Sequence, residues 1–185
     1  MSTGLFLSIL IPATIANIFV SRRSLFSPRS HGFYRFFAFE LILILLLMNA
    51  PAWFDDPFSP VHLLSWALLI GSIVPALGGY LTLRQRGNPA AGARLETNLA
   101  FENTGRLITT GMYRHIRHPM YASLLMLAWG TFLKDPGMLG LGLAVLASGV
   151  LVVTARVEET ENVERFGEEY EEYVKSTPMF FPRPW

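Results

Sequence analysis

The stretch Gly111–Ala122, "GMYRHIRHPMYA", sets two arginines and two histidines directly before an apolar run, with Pro119 behind the second histidine. Proline suits the first position of a helix and pushes the preceding residue out of the α region. Pro119 is therefore expected to open a helix, with His118 as its cap. The run that follows is nearly free of charge to Leu133. The stretch reads as the polar mouth of a membrane helix, and the rest of the chain supports that.

Half of the 185 residues are hydrophobic (51%) and only 16% are charged, against about 25% charged in soluble domains. Mean hydropathy is +0.37. Besides Pro119–Leu133, the runs Gly4–Val20, Phe33–Phe54, Val61–Leu83 and Pro136–Ala155 are apolar. A helix needs roughly 20 such residues to cross a bilayer. The expected fold is an all-α polytopic membrane protein with about five transmembrane helices. Arg22 and Arg23 follow the first run rather than precede it, which suits a retained span and not a cleaved signal peptide. The chain has no cysteine, so neither a disulfide nor a thiol nucleophile enters the chemistry.

Charge alternates from loop to loop. Arg22, Arg23, Arg29 and Arg35 cluster after the first span, and Asp55 and Asp56 after the second. Arg84, Arg86, Arg94, Arg106, Arg114 and Arg117 lie between the third and fourth, and the last hairpin, Lys134–Gly137, is neutral. The positive-inside rule then predicts an N-terminus outside, a cytoplasmic C-terminus, and both long polar pieces on the cytoplasmic face. Residues 1–83 are expected to supply N-terminal membrane helices and residues 84–185 a functional half, within one domain. In the fifth span Gly140, Ala144 and Ser148 recur every four residues, a ridge suited to close helix packing in lipid. The tail predicts a cytoplasmic amphipathic helix weakened at Gly167, with Glu161–Arg165 and Glu171–Lys175 in the favourable i,i+4 order. Pro178, Pro182 and Pro184 end it.

A helix N-terminus at His118 attracts anions, and Arg117 reinforces that pull. Tyr113 and Tyr121 offer ring faces to a flat or cationic ligand. A plain topology signal accounts for the same cluster about equally well. His115 and His118 have metal-pair spacing, but the proline breaks the helix that would align them, and no metal is expected. Glu158 and Glu159 stand out because they fall where the fifth span ends. Glu161, Glu164, Glu168, Glu169, Glu171 and Glu172 read as a solvated acidic face. Glu40 lies inside the second span, where a charge is costly and commonly functional; Asn17 and His62 read as helix-packing or helix-end residues.

"GMYRHIRHPMYA", then Glu158–Glu159, then "ERFGEEYEEYVKSTPMFFP" together resemble the integral-membrane isoprenylcysteine carboxyl methyltransferase and phospholipid methyltransferase superfamily, from about Asn98 to the end. The resemblance implies an S-adenosyl-L-methionine-dependent enzyme with its cofactor on the cytoplasmic side. It places Arg106, Leu107, Ile108, Tyr113, His118, Pro119, Met120, Tyr121, Glu158 and Glu159 around the cofactor, with Asn98 aligned by spacing alone. Methyl transfer needs alignment rather than covalent help, so Tyr121, Glu158 and Arg117 are expected to position rather than react. The family's glycine after Arg-His-Pro-x-Tyr-x is Ser123 here, and the arginine that carboxyl methyltransferases carry four residues before the first glutamate is Thr154. Arg156 and Glu40 are left as candidates for substrate contact. The acceptor is expected to be lipophilic or lipid-anchored, a prenylcysteine-type carboxylate or a lipid amine, drawn from among membrane lipids. No nucleic-acid partner is expected. A sterol-reductase-like protein binding NADPH and a non-catalytic scaffold are the competing readings.

Overall fold

The computed structural model describes residues 2–87, 98–99 and 102–182. Arg94 of the charge pattern and Pro184 of the tail lie outside them. Among the described residues the regular structure is helical: α1 Thr3–Leu25, α2 His31–Asn49, α3 Pro60–Gly71, α4 Ile73–Arg86, α5 Pro119–Phe132, α6 Met138–Phe166 and α7 Glu168–Ser176. Short 3-10 turns cover Ala50–Ala52 and Gly111–Arg114. The protein is an all-α polytopic membrane protein.

Four stretches are long and apolar enough to span a bilayer: Thr3–Leu25, His31–Ala52, Pro60–Arg86 and Met138–Phe166. The third combines α3 and α4. Pro75 has no N–H for the Gly71 carbonyl, and the helix breaks at Ser72, whose hydroxyl donates to the Leu69 carbonyl at 2.6 Å. The fourth expected span is shorter than a bilayer. The 14 residues of α5 reach only about 21 Å.

The shortness of α5 has a geometric cause. At one end it reaches the far side of the bundle, where the Lys134 carbonyl lies 2.9 Å from His62 Nε2 at the start of α3. At the other it stops early: a Cβ built on Gly79 would stand 3.0 Å from the Pro119 ring, so Pro119 is level with Gly79 and not with Arg86 at the end of α4. The seven residues between correspond to about 10 Å of helix. The N-terminus of α5 is thus the floor of a recess whose walls are α4, α6 and the start of α2.

Three helices build the core. Ala38, Ile42 and Leu45 of α2 meet Leu125 and Ala128 of α5 and Ala144, Ala147, Leu151 and Ala155 of α6. Alanines on the α6 face let α2 approach closely, as small residues do where lipid offers no hydrophobic drive. The predicted ridge is used: Gly140 and Ala144 are buried, and Ser148 accepts from Trp129 Nε1 at 3.1 Å. Helix α1 packs along α2. It is fastened there by Glu40, which accepts from Thr14 Oγ1 and Asn17 Nδ2, each at 2.7 Å.

Helix α6 runs 29 residues, well past the expected Ala155, and stops at Gly167 with φ +58°, a value that glycine adopts freely. The chain then turns into α7, whose Tyr170 and Tyr173 are buried against the bundle.

Candidate active site

Pro119 opens α5 and His118 takes the cap position with extended φ, as the sequence predicts. Because residue 119 is proline, Met120 and Tyr121 carry the first amides of α5, which lack a carbonyl four residues back inside the helix. The His118 side chain does not cap. It stacks on Tyr121, ring centroids 5.5 Å apart, and reaches across to α6 with Nε2 3.1 Å from Glu159 and Nδ1 3.7 Å from Glu158.

Arg117 locks the neighbouring strap in place. Its Nη2 pairs with Glu159 at 2.7 Å and its Nε donates to the same oxygen at 2.7 Å. Its Nη1 donates to the carbonyls of Val174 and Thr177. The amides of Arg117 and His118 donate to the carbonyls of Pro178 and Met179 at 2.9 and 3.0 Å. The residues after α7 are therefore tied beside the mouth of α5, and Phe180 comes within 6.1 Å of the His118 ring. Tyr173 fastens the other end by donating to the Tyr113 carbonyl.

A second ionic cluster closes the opposite wall. Arg35 Nη1 pairs with Glu102 Oε1. Glu102 Oε2 accepts the Leu99 amide at 2.8 Å and lies 3.6 Å from His31 Nε2. His31 also meets Glu161 twice, through its amide at 2.9 Å and Nδ1 at 2.6 Å. Burial alone would raise the Glu102 carboxyl. Arg35 and His31 outweigh it and hold the group at about 2. Burial pushes the Tyr113 hydroxyl well above its usual range, and the Glu158 charge adds to that.

This cluster corrects two expectations. Glu161 was placed on a solvated face and paired with Arg165. It is bound to His31, while Arg165 donates to the Thr104 carbonyl. Arg35 and Glu102 were not expected in the site at all. Arg35 reads naturally as a topology charge, yet it is 3% exposed. The available signal was Glu102 itself, an acid within a run whose charges are otherwise almost all arginine.

Between the clusters lie two cavities. An apolar one of about 230 Å³ is lined by Phe39, Ala76, Leu99 and Leu124, with Arg35 and Ser123 in its wall. A smaller one of about 70 Å³ is lined by Leu107, Ile108, Asn162, Phe166, Tyr170 and Tyr173. Leu83, Glu102, Tyr113, Arg117, His118 and Glu158 line both, so the two are chambers of one site. Pro119, Met120 and Tyr121 face the apolar chamber. Glu159 lines neither and acts through Arg117 and His118.

The remaining candidates fall elsewhere. Arg106 is exposed, its Nε donating to the Arg86 carbonyl at 2.9 Å, and Asn98 lines neither chamber. Arg156 is exposed on α6. Glu40 is held in the α1–α2 interface and lines neither chamber. His115 is exposed while His118 is buried, which separates the histidine pair.

Comparison with known proteins points one way. The sequence model of the family described as phospholipid methyltransferase matches residues 63–169. The methanethiol S-methyltransferase of Pseudomonas deceptionensis is 35% identical over 78 residues, covering 42% of this chain and 29% of that protein. Methanethiol S-methyltransferase 2 of Bradyrhizobium diazoefficiens is 32% identical over 160 residues, 78% of this chain and 56% of that protein. The chain thus matches little more than half the length of these curated relatives at most. No solved structure matches the chain.

Proposed function

The chain belongs to the phospholipid methyltransferase family, and we propose that it is an integral-membrane methyltransferase that moves the methyl group of S-adenosylmethionine onto a small apolar acceptor, a thiol first of all. The observation that carries this reading is the pair of joined chambers, one of mixed lining and one apolar, meeting at Tyr113, His118 and Glu158.

The donor set fits the proposed cofactor. Glu158 offers a carboxylate for an ammonium or ribose hydroxyls, and the amides at the start of α5 offer donors for a carboxylate. Tyr113, His118 and Tyr121 supply ring faces for a sulfonium. When bound, S-adenosylmethionine supplies an electrophilic methyl group and a neutral leaving thioether. The protein's own work is then alignment and exclusion of water. Arg117 and Glu159 fix the His118 ring, Tyr173 fixes Tyr113, and the strap at Pro178–Phe180 closes the side of the mouth. Helices α2 and α4 contribute Phe39, Ala76 and Leu83, so the acceptor chamber draws on the N-terminal half, while residues 84–185 carry most of the cofactor set.

Two facts favour a small acceptor over a whole lipid. The apolar chamber is smaller than the roughly 300–1,000 Å³ typical of pockets for drug-sized ligands. The relatives are named for methanethiol. The arginines near the recess support a cytoplasmic location for the site.

Calorimetric titration of the purified protein in mild detergent with S-adenosylhomocysteine tests the cofactor, with NADPH titrated in parallel. Saturable binding of the first alone is expected, followed by transfer of labelled methyl from S-adenosylmethionine to short thiols. Binding of NADPH alone would move the protein to the reductases, and binding of neither would leave a scaffold.

A further inference from the structure

Two arginines line the apolar chamber, and they are held differently. Arg117 borders both chambers, and its guanidinium is committed to Glu159 and to the Val174 and Thr177 carbonyls. Arg35 borders the apolar chamber only. It meets Glu102 through Nη1, but the Glu102 charge is divided between Arg35, the Leu99 amide and nearby His31. The other titratable groups facing this wall are Tyr113 in the turn before α5, His118 and Tyr121 of α5, and Glu158 of α6. Arg35 is therefore a buried permanent cation in the wall of the apolar chamber, paired with Glu102 through one guanidinium nitrogen and set among Phe39, Leu99 and Leu124.

Apolar surroundings oppose ionisation of a thiol, yet the thiolate is the reactive form. An arginine cannot serve as a base, since it stays protonated. It can hold an anion.

Resting on the methyl-transfer reading above, we propose that Arg35 is a catalytic residue that binds the acceptor sulfur as its thiolate, so that the chamber selects nucleophiles reacting as anions. The thiol loses its proton to solvent on entering. The thiolate sulfur then forms a bond to the methyl carbon, and the bond from that carbon to the sulfonium breaks with its electron pair going to the departing thioether sulfur. An amine acceptor gains positive charge in the same step and is disfavoured by Arg35, which makes a lipid amine the wrong class of substrate.

The test uses the full chain in detergent and two groups of thiols, weakly acidic alkanethiols and more acidic arenethiols, with a secondary amine as comparison. Arg35→Gln is expected to lose about 100-fold in rate on alkanethiols, the scale of removing one preorganised donor to a developing or full anion. Its loss on arenethiols, which ionise unaided, is expected to stay under about tenfold on the same scale. Arg35→Lys should recover part of the alkanethiol rate. Arg35→Gln/Glu102→Gln guards against misfolding from a lone buried carboxylate and should show the same selective loss of alkanethiol over arenethiol rate. A uniform loss across both thiol groups, or unchanged rates in Arg35→Gln, overturns the role of Arg35 alone. Faster transfer to the amine than to thiols by the wild-type protein overturns it too. A wild-type protein that binds S-adenosylhomocysteine but methylates no thiol overturns the thiol reading beneath it.

Discussion

The two ionic clusters flanking the site do similar jobs with different parts. On one side Arg117, His118 and Glu159 join α5 to α6 and tie down the strap after α7. On the other His31, Arg35, Glu102 and Glu161 join α2 to α6 and to the turn at Leu99. The first is built from two short motifs, each pairing neighbours in sequence. The second collects four residues from three separate segments, with contacts spanning 67 and 130 positions. The first cluster is a clasp for the strap after α7, whereas the second holds a charge in the wall of the apolar chamber. Removing a member of each should therefore do different things.

Arg117→Ala should have the largest effect. It leaves half-buried Glu159 with only His118 as a partner, and it frees two carbonyls and the strap. Loss of one partner from a fully buried ion pair costs about 3–5 kcal/mol; here a smaller ionic loss adds to release of the strap, so a large drop in unfolding temperature in detergent is expected, with loss of S-adenosylhomocysteine binding. A variant as stable as wild type would mean that the backbone bonds at Pro178 and Met179 hold the strap by themselves.

Glu102→Gln should cost less, about 1.5–3 kcal/mol, the worth of hydrogen bonds to charged groups. Its pH dependence separates the clusters. The Glu102 carboxyl is held at about 2 against an ordinary 4.5, so the folded state prefers it ionised. That contribution is complete above about 4.5 and is lost as pH falls towards 2. Unfolding measured across this window should fall more steeply with acid for wild type than for Glu102→Gln. Parallel profiles would assign the acid sensitivity to Glu159, whose carboxylate the first cluster holds.

What could be read from the sequence follows the same division. Pro119 fixes the backbone of its own neighbours, so the start of α5 and the place of His118 were legible from local sterics. Glu158 and Glu159 stood out because an apolar span must give way to charge near the membrane surface, although α6 itself runs on to Phe166. Gly167 announced its break for want of a Cβ. Arg35 and Glu161 were not legible, since each had a sufficient local explanation, one as a topology charge and the other as an i,i+4 partner. Only the fold brings position 31 to position 161. The extent of α5 was legible to within a residue, but its reading as a full span was not, for a related reason. Hydropathy marks where apolar residues occur, and a floor set about 10 Å inside a recess is as apolar as a full span.

Glu40→Gln should give the smallest effect, and it asks whether the second cluster ends at Arg35. Glu40 lies five residues on in the same helix, and as an ionisable group inside a span it invites a functional reading. Its oxygens are each occupied, by Thr14 Oγ1 and Asn17 Nδ2, and both partners belong to α1, which touches neither chamber. The amide keeps one carbonyl oxygen as acceptor and loses the other. Polar contacts between membrane helices average about 0.6 kcal/mol, so a loss of that order in unfolding free energy is expected. S-adenosylhomocysteine affinity and the rate on alkanethiols should stay within about twofold of wild type, since 0.6 kcal/mol is under a factor of three. A tenfold fall in rate with the fold intact would instead extend the acceptor path along α2 to the α1 interface. Helix α1 would then be a wall of the active site and not simply a helix packed on its outside.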